Sequence, residues 1–167
     1  RSAICRVLVA TLPVAFPTGQ LCTVQINNPA GVTLNNAITV NSLVTLKVDA
    51  GAILKNAYTL TNSNVTNING SFQLDEGGWA TGNDFVYGTE GTLVFNNSTG
   101  FYGVSGTPVF WPTTNGPVNV TVKNSGGLQL EVPRTVSGVF QTSTGVKNTY
   151  GNDLTVSGTV KLNTGGY

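Results

Sequence analysis

Written beneath itself with a displacement of twenty residues, the chain repeats. Gly31-Val32-Thr33-Leu34-Asn35-Asn36-Ala37-Ile38-Thr39-Val40 falls over Gly51-Ala52-Ile53-Leu54-Lys55-Asn56-Ala57-Tyr58-Thr59-Leu60, with Gly, Leu, Asn, Ala and Thr at matching positions. Far downstream the same displacement brings Thr135-Val136-Ser137-Gly138 over Thr155-Val156-Ser157-Gly158, and Thr144-Gly145 over Thr164-Gly165. A period near twenty, built from short β-prone runs between Gly, Asn and Asp, is the signature of a solenoid in which each repeat is one coil. Each coil would rise by one strand spacing, about 4.8 Å.

The runs themselves alternate. Val24-Gln25-Ile26, Val32-Thr33-Leu34, Ile38-Thr39-Val40, Leu43-Val44-Thr45-Leu46, Val118-Asn119-Val120-Thr121-Val122 and Leu128-Gln129-Leu130 set an apolar residue beside a polar one. Period-two alternation sends the apolar set to one face and Thr, Asn and Gln to the other. Runs this short do not hold a sheet alone, but stacking each on the next coil pairs its backbone and lengthens the core. The displacement of twenty predicts Leu34 above Leu54, with Leu74 following, and an amide ladder of Asn36 above Asn56 at a turn. The expected fold is all-β, a parallel β-helix of about 20 residues per coil and about eight coils. A β-sandwich of similar short strands is the alternative, though it offers no reason for a fixed displacement.

Composition narrows the functional classes. Of 167 residues only 9% are charged, the net charge is +1, and His and Met are absent. The basic residues are scattered singly, so no stripe tracks a phosphate backbone and nucleic acid is not an expected partner. Without His the chain lacks the commonest general base and transition-metal ligand. A chain that starts at Arg1 is read as processed or cut from something larger. Its most apolar stretch, Ile4 to Phe16, is broken by Arg6 and Pro13 and is too short for a membrane-spanning helix. Cys5 and Cys22 flank that stretch. A disulfide between them would contribute about 3 kcal/mol on the chain-entropy model and points to an oxidising, extracytoplasmic setting. The organisation that follows is an N-terminal cap at residues 1–23 and a solenoid at 24–167, with Gly-, Pro- and aromatic-rich excursions at 75–91 and 99–117.

Those excursions hold the candidate contacts. Eight of the fourteen aromatic residues fall between Trp79 and Trp111. Trp79, Tyr87, Tyr102, Phe110 and Trp111 are candidate ligand or partner contacts, since clustered Trp and Tyr stack on sugar rings or anchor a protein. The alternative is that they form the excursion's own small core. Asp75, Glu76, Asp84 and Glu90 are the only carboxylates near one another in sequence, and an acid pair beside Trp79 is the one arrangement that would suit glycoside chemistry. Adjacent Asp75 and Glu76 would point opposite ways on a strand, which fits turn-forming charges instead. Outward Thr columns of the kind that bind ice break at this displacement, because Thr39 and Thr59 are followed by Trp79. No nucleophile elbow and no phosphate-binding glycine motif occurs.

Several stretches taken together resemble a known class. Gly31 to Val40, Gly91-Thr92-Leu93-Val94-Phe95-Asn96-Asn97-Ser98-Thr99-Gly100 leading to Tyr102-Gly103-Val104, Phe110 to Val122, and Arg134-Thr135-Val136-Ser137-Gly138 are similar to β-helical segments of large secreted, adhesin-like surface proteins of bacteria with type IX secretion. The resemblance covers most of the chain from Val24 onward and transfers no catalytic or binding residue. It implies a right-handed parallel β-helix outside the cell or on its surface. With the low charge and the repeat, the expected role is structural or adhesive and non-enzymatic, with no cofactor and no metal. Expected partners are neighbouring coils of a longer chain or other copies of itself, together with glycans or surface proteins. A pilus-like filament subunit joined by strand addition is the alternative, and a polysaccharide-active β-helix enzyme stands behind it.

Overall fold

A computed structural model describes residues 16, 18–98, 100–123, 127–143 and 152–163 in full, and residues 3–7 and 11–12 as backbone. Among these residues there is no helix, and every strand pairing is parallel. The chain is a β-solenoid that winds about six turns of roughly 20 residues, fewer than the eight the sequence suggests.

Each turn has three sides. The first face stacks Ala3–Val7, Cys22–Ile26, Val44–Val48, Thr66–Ile68 and Phe85–Tyr87. The second, which alone runs through the whole stack, has eight strands: Thr11–Leu12, Val32–Leu34, Ile53–Asn56, Ser71–Asp75, Thr92–Asn96, Asn119–Val122, Val139–Thr142 and Thr159–Leu162. The third stacks Ile38–Val40, Thr59–Asn62 and Trp79–Gly82. Two separate pairs, Tyr102–Val104 with Leu128–Leu130 and Arg134–Val136 with Leu154–Val156, carry the winding onward at the third and first sides by their place in chain order.

Alternation sets which atoms meet inside. In Cys22–Ile26 and Val44–Val48 every second residue is buried, as a pleated strand with one dry face requires. Stacking turns those single residues into continuous columns. On the second face Val32, Leu54, Phe72, Leu93, Val120, Phe140 and Val160 pair in succession. Beside them run Leu34, Asn56, Leu74, Phe95, Val122, Thr142 and Leu162. Each fully buried aliphatic or aromatic member contributes about 1.5–3 kcal/mol by leaving water, and no single turn could gather enough of them to fold alone.

The registers correct the expected stacking upstream and match it downstream. Thr135 pairs with Thr155 and Val136 with Val156, the displacement of twenty. Upstream the step is two residues longer: Leu54 pairs with Val32 and Leu34 with Asn56, so Leu34 and Leu54 share a sheet on adjacent turns without facing one another. A slip of two residues keeps every side chain on its own face, so hydrophobic pattern does not distinguish twenty from twenty-two. The Asn36–Asn56 ladder is absent for the same reason. Asn36 is exposed, whereas Asn56 is fully buried, donates through Nδ2 to the Trp79 carbonyl at 2.9 Å and accepts from the Tyr58 N–H at 3.1 Å. The longer step also changes the outward columns, since Thr39, Thr61 and Thr81 pair in sequence on the third face.

Two expected boundaries shift. The division between residues 23 and 24 falls inside the strand Cys22–Ile26, and the segment before it pairs in parallel as a turn in its own right. Residues 75–91 do not leave the winding, because they contain Trp79–Gly82 and Phe85–Tyr87. The true excursion is residues 105–118, across which Thr92 finds its partner at Asn119, 27 positions on.

At the corner between the first and second faces, Gly70 passes so close to the turn below that a Cβ would lie 2.2 Å from the Asp49 carbonyl oxygen and 2.3 Å from that of Ala52. Both obstacles are backbone and neither can swing aside. Gly103, on an exposed strand position with nothing within 4 Å of its virtual Cβ, meets no such obstacle. Gly70→Ala is therefore expected to lower the melting temperature sharply, whereas Gly103→Ala should change unfolding free energy by less than about 0.5 kcal/mol, as read by chemical denaturation of both variants.

Candidate functional site

The first face ends at Phe85–Tyr87, and the excursion takes the place of its next strand. The Phe85 N–H donates to the Val109 carbonyl and the Tyr87 N–H to that of Asn115, both at 2.9 Å. The segment is irregular: Asn115 has φ 54, and a Cβ on Gly116 would sit 2.4 Å from the Pro112 carbonyl oxygen. Such a backbone pairs only where its carbonyls happen to reach, so side chains must hold it.

Aromatic rings do so. Phe110 and Trp111, at 0% and 1% exposure, insert beneath the excursion. Phe110 meets Trp79 edge-on at 5.0 Å, and Phe95 lies 4.9 Å from Tyr102 and 5.8 Å from Trp111. Trp79 and Tyr102 stack at 6.4 Å with an interplanar angle of 14°. The Tyr87 hydroxyl donates to the Phe110 carbonyl at 2.6 Å, and the Tyr102 hydroxyl to that of Gly78 at 2.5 Å. Burial pushes both phenols well above the ordinary tyrosine range, because the phenolate would lose its hydration.

The five candidate contact residues are thus brought together, but they divide by exposure. Tyr87 and Phe110 are enclosed and serve packing, and Trp111 reaches the surface only along the wall of a notch. Trp79 and Tyr102 stay partly exposed, with Phe101 beside Tyr102 in sequence at 50%. The carboxylates are committed elsewhere or apart. Asp75 Oδ1 accepts from Gln73 Nε2 at 2.8 Å and Asn96 Nδ2 at 2.6 Å, while Glu76 Oε2 accepts from the N–H and hydroxyl of Ser98. Asp84 and Glu90 stand exposed. Among the described residues no group of three or more His, Cys, Asp or Glu is placed to hold a metal.

The side chain of Cys5 lies outside the described residues. The backbone register sets Cys5 opposite Val24 and Cys22 opposite Ala3, so the two cysteines are diagonal neighbours on adjacent strands. Strand spacing and rise place their Cα atoms roughly 8 Å apart, slightly beyond the usual disulfide span of about 4.4–6.8 Å.

The notch lies between the excursion and the turn that follows. Trp111, Pro112, Thr113, Gly116 and Pro117 form one wall, Pro133, Arg134, Thr135 and Ser137 the other, around about 260 Å³. Arg134 is the residue that composition and motif reading missed. It is 5% exposed, with its Cζ 6.0 Å from the Trp111 ring centroid. Its Nη1 donates to the Pro133 carbonyl at 3.4 Å and its Nη2 to that of Gly106. Nε is buried without a partner, and desolvation lowers the guanidinium pKa without discharging it near neutrality. A signal was present: aligning Thr135 with Thr155 sets Arg134 over Leu154, an arginine where the next turn has an aliphatic residue.

A second, shallower hollow is bordered by Lys47, Asp49, Asn69 and Glu90. There Lys47 Nζ and Asp49 Oδ1 are 2.9 Å apart, and Gln25 Nε2 donates to Asp49 Oδ2. No helix among the described residues is long and apolar enough to cross a membrane. Comparison with protein-family models, curated proteins and solved structures returns no match. The class defined is therefore that of the fold, a parallel β-solenoid with an aromatic-packed excursion.

The buried phenols give this region a pH response of definite sign. A phenol whose folded pKa is raised holds its proton where the unfolded chain has lost it, so its contribution is intact below about pH 10 and falls away above that. A spectrophotometric titration read alongside circular dichroism tests this. The phenolate signals of Tyr87 and Tyr102 should appear only as β-structure is lost; ionisation of both with the circular dichroism unchanged would contradict this account.

Proposed function

We propose that this chain is a non-enzymatic structural and adhesive segment of a bacterial surface protein, working outside the cell. The observation that carries the reading is the second face, in which eight parallel strands stack and seven of them line up one unbroken apolar column from Val32 to Val160. Such a body is a stiff spacer, and its outward Thr, Asn and Gln side chains give it a neutral, hydrogen-bonding exterior suited to contact with glycans or other surface proteins. The resemblance to β-helical segments of secreted adhesin-like proteins supports the same placement. The partly exposed pair Trp79 and Tyr102 supplies an aromatic contact strip on its flank.

A second reading, filament growth by strand addition, is favoured by one feature. Val160 and Leu162 continue the two columns of the second face yet are 53% and 57% exposed. Strand addition by another copy on Thr159–Leu162 would cover both side chains. Antibodies against this chain, applied to intact source cells and viewed by electron microscopy, are expected to decorate the cell exterior. Labelling regular fibres would select the filament reading, and labelling only after permeabilisation would remove both.

The Cys5–Cys22 bridge belongs to the same proposal. The register leaves the pair on adjacent strands, and a local displacement of about 1–2 Å brings them within bonding reach. Alkylation of the native protein without reductant should add nothing to its mass, and with reductant two groups. Two groups added without reductant would withdraw the bridge and the argument for an oxidising compartment drawn from it.

A further inference from the structure

Arg134 carries a charge that no carboxylate among the described residues neutralises. All seven Asp and Glu side chains lie among the described residues, and the ion pair they form there is Lys47 with Asp49, in a different sheet several turns away. Arg134, by contrast, is 5% exposed and among the described residues is bonded only to the carbonyls of Pro133 and Gly106, with a buried Nε that has no partner there. A buried cation without a counter-ion is costly, and where one persists beside an opening, an anion is the natural complement. The opening is there, because Arg134 lines the 260 Å³ notch.

The rest of the wall narrows the anion. Thr113, Thr135 and Ser137 bring hydroxyls, while Trp111 and Pro112 bring apolar edges. A volume below that of most ligand pockets admits a single ring rather than an extended chain. Hydroxyl donors, apolar edges and one cation suit a pyranose that carries a carboxylate. We propose that the notch binds the acidic sugar residue of a polysaccharide, a uronic acid, with Arg134 recognising its carboxylate. The inference deepens the adhesive reading by naming the glycan class. It concerns binding by the isolated chain, so its failure would leave the cellular placement to be judged separately by surface labelling.

The test is a titration of the full 167-residue chain with sodium D-glucuronate, D-glucose and acetyl-aspartate amide, followed by NMR or calorimetry. Glucuronate is expected to bind at least tenfold more tightly than glucose, and more tightly than the aspartate derivative. Arg134→Leu places at this position the residue that Leu154 already supplies one turn on. That variant should lose the preference over glucose and keep or raise the melting temperature, since an apolar replacement of an unpaired buried charge is commonly neutral or stabilising. Thr113→Trp fills the notch from an exposed position and leaves Arg134 in place; it too should abolish glucuronate binding, and it decides the matter if Arg134→Leu does not fold. Equal binding of glucuronate and glucose, no binding of either, tighter binding of the aspartate derivative, or a preference that survives Thr113→Trp would each overturn the proposal.

Discussion

Main-chain hydrogen bonding between one turn and the next is the constraint from which the remainder follows. A strand of three to five residues in this chain has no partner within its own turn, so its N–H and C=O groups are satisfied only by the turns above and below. Once that pairing is parallel, inward residues stack on inward ones and outward on outward, and whatever occupies one position must tolerate a neighbour about 4.8 Å away. Charges tolerate this poorly and aliphatic, Thr and amide side chains tolerate it well. The low charge of the chain, the Val, Leu and Thr of its sides and the glycines of its close corners are separate answers to one geometric demand.

How much of this can be read from residues alone depends on what each residue reports. The alternation in Val44–Val48 or Asn119–Val122 specifies which side chains turn inward, and the solenoid and its approximate period follow from that. Stacking partners do not. Leu34 opposite Asn56, in place of Leu54, preserves every inward position, and only the lengths of the intervening corners separate the two registers. The recurrence of Thr135 to Gly138 at Thr155 to Gly158 succeeds because both the strand and its flanking corner are repeated.

The excursion shows the other limit. Aromatic clustering between Trp79 and Trp111 marks a place where the repeat gives way, but clustering does not say which rings face solvent. That depends on the carbonyls of Val109 and Asn115 taking the pairing role of a missing strand, which draws Phe110 and Trp111 inward and leaves Trp79 and Tyr102 nearer the surface. Arg134 was visible as a polar residue over Leu154, yet its meaning lies in the absence of a carboxylate across the fold, a property of three-dimensional placement.

The interruption of two faces also bears on how the molecule would carry force. The third-face strand Trp79–Gly82 and the following Tyr102–Val104 belong to separate sheets, and the first face ceases at Phe85–Tyr87. At that level, among the described residues, the second face alone continues as a regular strand ladder from the lower turns to the upper ones, backed by a wedge of rings. A tensile load along the axis would therefore concentrate on one strand ladder there, making the aromatic wedge the mechanical fuse of an otherwise uniformly braced rod.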